Sequence, residues 1–459
     1  MDQGERRSVE FDRLRDNNVR AYFRQVITGN RKYSITTLFY ITIVERESFI
    51  HKVKEMKSVD DFIKLLNGLR YSRYGEKCKP ITRNLLYYYA SNKVPISNLY
   101  TDIYIPKKSG GKRKIQIPCR GLKEIQGYIA EILNALFTPQ SCVTGFVRGK
   151  NIIDNAKPHV GHKYLLSWDI KDFFSSIYAK LVKYCLVNDP FNFPDDIANL
   201  ITNICGVRIE EDSCKRVLPQ GSPCSPILSN IVFAVFDKYI VDHCTWRGVI
   251  YTRFADDMTF SADHDFYYDS RFSWGRVLPS NGQFYHNKHL RQFFYLAKRL
   301  NINKKKTRKC KQGQRKIVTG IVVNDKLNVK REYVREIRNL LFIWEKYGYN
   351  DAKARFNNHV HKSTPNAKPS ELLNVLVGRI YFIKQVKGKN DPIFLRFKTK
   401  LKYLCSIMNT SKAVSIRLKT GLFIKGNLIS LDLDKGIELS VAGKTLYVQI
   451  SAISEIIQD

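Results

Sequence analysis

Acidic residues are what this sequence is short of: 42 Asp and Glu stand against 77 Lys and Arg, a net charge of +35. An excess of that size, interleaved with 26 Tyr and 26 Phe, points to a polyanionic partner. Long apolar runs are also missing. The most apolar early stretch, Thr36 to Val44, falls well short of the roughly 18 residues that a membrane span requires. It is closed by Glu45, so no membrane partner is expected. The opening MDQGERRSVEFDR has no secretory apolar region, and the chain is expected to be cytoplasmic. No CxxC pair occurs among the cysteines at 78, 119, 142, 185, 205, 214, 224, 244, 310 and 405, so neither a zinc site nor a disulfide framework is spelled out. They read as reduced structural thiols. No internal repeat is present, which excludes a solenoid.

What is present describes an ordered enzyme-sized chain. With 44% hydrophobic and 26% charged residues it is neither disordered nor collagen-like, and 459 residues at roughly 150 per domain give about three domains. Residues 1–100 read as a basic helical region, with apolar positions at helical spacing through Phe62, Leu65, Leu66 and Leu69. From Tyr104 the pattern changes to IYIP and then KKSGGKRKIQIP, two strands around a Ser109-Gly110-Gly111 turn. This hairpin carries Lys107, Lys108, Lys112, Arg113 and Lys114. Short apolar strands then alternate with helices to about residue 325. Arg331 to Tyr347 reads as an amphipathic helix within a helical region that runs to about Leu404. From Ala413 five short strands follow at the spacing of a small barrel, a separate module by this pattern.

Two carboxylate groups carry the sharpest chemistry: Asp169 in LLSWDIKDFF, and Asp256 with Asp257 in YTRFADDMTF. A strand that ends in acids flanked by apolar residues gathers charge at a cost unless a divalent cation neutralises it. Mg²⁺ fits, because it takes few carboxylates and completes its shell with waters and substrate phosphates. Two such ions would activate an attacking hydroxyl and stabilise a leaving pyrophosphate, which is nucleotidyl transfer. An isolated Asp-Asp pair can equally mark a solvated strand end, and its company decides. That company is VLPQGSPCSPILSN, with Pro219 lying 50 residues after Asp169 and 37 before Asp256.

Here the sequence resembles the reverse transcriptases. WDIKDFF is similar to their motif A, LPQGSP to motif B and FADD to motif C, in that order. The resemblance implies that Asp169, Asp256 and Asp257 are catalytic metal ligands and that Gln220 and Gly221 pack against the incoming dNTP. Phe174 takes the position of the gate that crowds a ribose 2′-OH, with core packing beside Phe173 as its alternative. In the basic hairpin Lys112 and Arg113 would sit nearest the triphosphate, with Arg120 and Lys123 as further candidates. In NINKKKTR, Lys306 best matches a lysine that neutralises or protonates the leaving pyrophosphate.

Two further segments narrow the family. NAKPH resembles the NAxxH motif and IVTGIVVN the VTG motif of retron reverse transcriptases, which implies RNA-binding roles for Asn155, His159, Val318, Thr319 and Gly320. The implied fold is α+β, a right-hand polymerase: helical N-terminal region 1–100, fingers and palm 101–325, helical thumb 326–409, and an all-β small barrel 410–459. That barrel is similar to Sm-like barrels, with Asp432 or Asp434 at the characteristic acid, although any small SH3-like barrel competes. The family pattern departs at Phe254, where Tyr is usual, and at an aromatic-rich insertion spanning 264–300. The implied function is RNA-directed DNA synthesis on a cognate structured noncoding RNA, giving branched single-stranded DNA (msDNA) in antiphage defence, with an effector protein as partner and an oligomer open. A defence reverse transcriptase that makes unbranched DNA is the alternative. An inactive RNA-binding scaffold is the third reading, and it has no use for clustered acids.

Overall fold

A computed structural model describes residues 47–75, 77–106, 110–268, 300–363, 371–408, 413–432, 436–441, 444–449 and 452–458. Lys107, Lys108, Asp434 and nearly all of the aromatic-rich insertion therefore lie outside the described residues. Helix α1 (Val59–Tyr74) starts at a capping box in which Ser58 and Asp61 satisfy each other's backbone N–H groups, and it buries Val59, Phe62 and Leu66. Helices α2 (Arg83–Ala90) and α3 (Ile96–Leu99) follow. Strands β1 (Tyr100–Pro106) and β2 (Lys112–Pro118) pair antiparallel, so the basic hairpin forms where the turn signal places it. Helix α4 (Arg120–Leu136) then buries the stripe Leu122, Ile125, Ile129, Ile132 and Leu133.

The centre is a four-stranded antiparallel sheet in the order β6-β7-β3-β8: β3 (Tyr164–Asp169), β6 (Ile250–Phe254), β7 (Asp257–Ala262) and β8 (Arg308–Cys310). Short helix α5 (Ile152–Ala156) precedes β3, capped by Asn151 and Asp154. Between β3 and β6 lie α6 (Ala179–Val187), α7 (Asp195–Cys205), the small pair β4 (Val207–Arg208) and β5 (Arg216–Val217), and α8 (Ser225–Trp246). Helix α8 is apolar nearly all round because it is buried, with Leu228, Val232, Phe233 and Ile240 inaccessible to solvent. One core joins this sheet, these helices and α1.

A second core holds the rest. Strands β9 (Ile317–Val318) and β10 (Ile321–Val322) form a minimal hairpin. Helix α9 (Arg331–Tyr347) has the bounds that its periodicity predicts, and α10 (Tyr349–Ser363), α11 (Leu372–Lys387) and α12 (Pro392–Met408) follow. Five strands close the chain, β11 (Ala413–Leu418), β12 (Phe423–Asp432), β13 (Gly436–Val441), β14 (Lys444–Val448) and β15 (Ile453–Gln458), in an antiparallel sheet ordered β14-β13-β12-β11-β15. The expectation of a separate module is corrected. Val414, Ile416, Ile437, Leu439 and Ile456 share one core with α9, α11 and α12, and the Asn374 amide both donates to the Ile456 carbonyl and accepts from its N–H. The sheet cannot leave without exposing that core.

None of the cysteines forms a disulfide, and among the described residues no helix is long and apolar enough to cross a membrane.

Candidate active site

Strands β6 and β7 are joined by a two-residue turn, Ala255-Asp256, with Phe254 opposite Asp257. Ala255 sits at φ 57°, a left-handed conformation that an L residue adopts only where its surroundings enforce it. Across the sheet Asp257 pairs directly with Asp169 at the end of β3. Residues directly opposite share a face, and like charges there repel. Burial, then the Asp256 and Asp169 charges, push Asp257 up to about 6; burial and Asp169 also raise Asp256.

The opposing charge comes from two other segments. Residues 301–303 run back along β3, with Asn303 N–H donating to the Asp169 carbonyl at 2.7 Å and Ile302 bridging Ile170. The following turn brings Lys306 Nζ to 2.7 Å from Asp169 Oδ2. Of the three adjacent lysines, 304 to 306, it is the one that reaches the acids. Arg113 on β2, like Lys306, offsets part of the rise in Asp256, while Lys112 is exposed beside it. The basic hairpin is tied down at Gln116, whose N–H donates to the Gln220 carbonyl at 2.7 Å. Gly221 next to it sits at φ 135°, and a Cβ there would come within 2.5 Å of the Gln116 carbonyl oxygen. The glycine of LPQG therefore lets β2 and the loop close on each other.

Phe174 is half-buried, with ring centroids 5.1 Å from Phe173 and 5.9 Å from Phe146. Phe173 is the one that takes the core position, 5.1 Å from Phe233. Phe146 is a neighbour that sequence reasoning missed. It is exposed at φ 60° and follows Gly145, where a Cβ would come within 2.2 Å of Ala255 N. Missed too is the support beneath the turn. Arg253 and Asp237, both inaccessible, form an ion pair at 2.7 Å, and Arg253 Nη1 donates to Asn230 Oδ1 and to the Ala255 carbonyl.

The NAxxH and VTG residues are elsewhere. Asn155 and His159 have no solvent exposure, Val318 has almost none, and their neighbours are protein groups, so the expected direct contact of these three side chains with RNA is corrected. Thr319 is half-buried and only Gly320 is exposed.

Among the described residues no three His, Cys, Asp or Glu side chains are gathered as a ready-made metal cage. Mg²⁺ does not ask for one. Hard oxygens from Asp169 and its partner Asp257, with Asp256 beside them and mutual repulsion to relieve, fit an ion that draws its remaining ligands from water and phosphate.

Residues 105–330 match the family described as reverse transcriptase (RNA-dependent DNA polymerase). The retron Ec83 reverse transcriptase of Escherichia coli is 34% identical over 241 residues, which cover 52% of this chain and 73% of that protein. The retron Ec86 reverse transcriptase of the same species is 32% identical over 250 residues, 51% of this chain and 67% of the relative. Among solved structures, telomerase from Candida albicans in complex with a fragment of telomeric RNA overlays with a TM-score of 0.38 at 10% identity, covering 76% of this chain and 68% of that one.

Proposed function

The chain belongs to the retron reverse transcriptases, and from that premise we propose that it copies a cognate structured noncoding RNA into branched single-stranded DNA by a two-Mg²⁺ mechanism, as part of antiphage defence. It is an RNA-directed DNA polymerase of α+β fold. The observation that carries the proposal is the convergence of Asp169, Asp256 and Asp257 near two cationic segments, one bonding Asp169 through Lys306 and the other bearing Arg113.

Each group then has a task. Bound at these carboxylates, Mg²⁺ would activate the primer hydroxyl and stabilise the leaving pyrophosphate. Asp169, Asp256 and Asp257 would hold the ions. Lys306, bonded to Asp169, would place its proton where the pyrophosphate oxygen gains charge. Arg113 and Lys112 offer the triphosphate cations from an exposed hairpin whose base is fixed at Gln220. RNA has a separate surface. Arg331, Arg335, Arg338 and Lys346 fall on the exposed face of α9 around Phe342, cations and an aromatic ring suited to phosphates and bases. An effector protein is the expected partner, and the setting is cytoplasmic.

Phe174 is the deoxyribose gate. Phe174→Val is expected to raise the ribonucleotide to deoxyribonucleotide ratio of kcat/KM at least about tenfold, worth about 1.4 kcal/mol of discrimination. An unchanged ratio would return Phe174 to core packing. The function itself is tested by expressing the gene with its native flanking DNA, purifying the protein, and sequencing the bound nucleic acid with and without debranching. A single-stranded DNA whose mobility shifts on debranching is expected; unbranched DNA sinks the branched product, and RNA alone sinks the synthesis.

A further inference from the structure

The two segments that resemble NAxxH and VTG meet inside the molecule. On one side of α5, Asn155 Oδ1 accepts from Thr144 Oγ1 at 2.8 Å, and Thr144 N–H donates to the Arg253 carbonyl at 2.9 Å. His159, just beyond α5, bonds Thr252 on β6 and Ser261 on β7, each at 2.7 Å. It is a clip across the hairpin whose tip is Ala255-Asp256, with Thr252 and Ser261 each four residues from an acid of the tip, roughly 13 Å along an extended strand. Burial pushes His159 down to about 3, so the ring is neutral and each nitrogen meets a hydroxyl that can serve as donor or acceptor. On the other side of α5, Ala156 is buried in the core of α9, α11 and α12, with Ile152, Ile153 and Val160 packed against it.

Thr319 and Gly320 are the two central residues of the β9–β10 hairpin, at φ 45° and 89°. Positive φ at both is the type I′ turn, which favours Asn-Gly, and a β-branched residue at its first position is strained. What Thr319 supplies is its hydroxyl, which donates to the Ile152 carbonyl of α5 at 3.0 Å. A second tie runs from Gly161 N–H to the Val323 carbonyl at 3.1 Å. Stability alone would not select this arrangement. Besides the strain, Asn155 Nδ2 is buried with no hydrogen-bond partner among the described residues.

We propose that Thr319, Asn155 and His159 are positioning residues, making α5 a joint that fixes the turn bearing Asp256 and Asp257 to the α9–α12 unit. Whatever moves that unit is then felt at the acids, because a packed joint transmits displacement instead of absorbing it. The proposal rests on Asp256 and Asp257 being the metal ligands, and the Asp256→Asn, Asp257→Asn enzyme run alongside tests that assignment separately.

The experiment uses the full-length enzyme with its RNA, comparing Thr319→Val, which keeps the shape and removes the hydroxyl, with Thr319→Ser, which keeps the hydroxyl. In single-turnover dNTP incorporation, Thr319→Val is expected to lower the rate per active site at least about fivefold, since small misplacements at a reacting centre are amplified in rate. Thr319→Ser should restore it, RNA affinity should stay within about twofold, and amide exchange across 250–262 should accelerate in Thr319→Val although the lost hydrogen bond is to Ile152 of α5. The burst amplitude reports the folded fraction, so loss of active enzyme is read apart from loss of rate. A fall in amplitude with an unchanged rate overturns the proposal in favour of plain stabilisation. A fall in RNA affinity with an unchanged rate per complex overturns it in favour of RNA contact.

Discussion

Asparagine at both 256 and 257 is expected to abolish DNA synthesis, lowering kcat by at least about 10³-fold, which is about 4 kcal/mol of transition-state stabilisation. The substitution keeps the shape of each side chain and removes only the charges that hold the metal. RNA affinity should not move, because the cations of α9 are on an exposed helix face built on the other core. Folding should not suffer either. Asp257 is raised by burial and by the Asp256 and Asp169 charges, so the folded enzyme bears repulsion that asparagine relieves. The melting temperature should equal or exceed that of the parent. Single-turnover extension, RNA binding by filter retention and a thermal melt make the three measurements, and extension within tenfold of the parent would sink the assignment. Loss of extension together with a lowered melting temperature would mean that the acids are structural.

The convergence of Asp169, Asp256 and Asp257 was legible because it is written in local pattern. Asp169 ends one apolar strand and Asp257 begins another, with Asp256 in the turn just before it, and antiparallel pairing of those strands in this register brings the acids together. The basic hairpin and the α9 helix were legible for the same reason, a turn signal in one and a 3.6-residue period in the other. What pairing cannot reveal is depth. Asn155 and His159 are polar residues in a short segment between glycine-containing loops, and nothing local separates a polar side chain facing RNA from one facing Thr144, Thr252 and Ser261. The family resemblance supplied a role for them, and burial contradicts direct contact by them. Likewise the strand period over 413–458 describes the sheet correctly, but not which helices its inner face packs on, since Val414 and Ile456 are apolar whether they close a barrel or cover α11.

Asp237→Asn is expected to destabilise the fold by about 3–5 kcal/mol, and it should reduce activity through a different route from the loss of Asp256 and Asp257. Asp237 lies midway along α8, on its buried face. In the fold that acid accepts from Arg253 Nε at 2.9 Å, from Arg253 Nη2 at 2.7 Å and from the Tyr251 hydroxyl at 2.8 Å, all without solvent. Burial works against the Arg253 charge and Asp237 outweighs it, so asparagine leaves a dry guanidinium without a counter-charge. A thermal melt reads that cost. Stability and positioning separate in the double variant Asp237→Leu, Arg253→Met, because a buried ion pair replaced by apolar groups of similar volume often costs little. Part of the melting temperature should return, less what the Tyr251 hydroxyl and Asn230 lose as unpaired groups. Activity should not return with it. Arg253 Nη1 is the donor that joins Asn230 to the Ala255 carbonyl, and Ala255 holds a left-handed conformation that its surroundings must enforce. Without that donor the turn carrying Asp256 relaxes, and a stable enzyme with misplaced acids is the predicted product. Recovery of the parent kcat in the double variant would show that the pair only fills space.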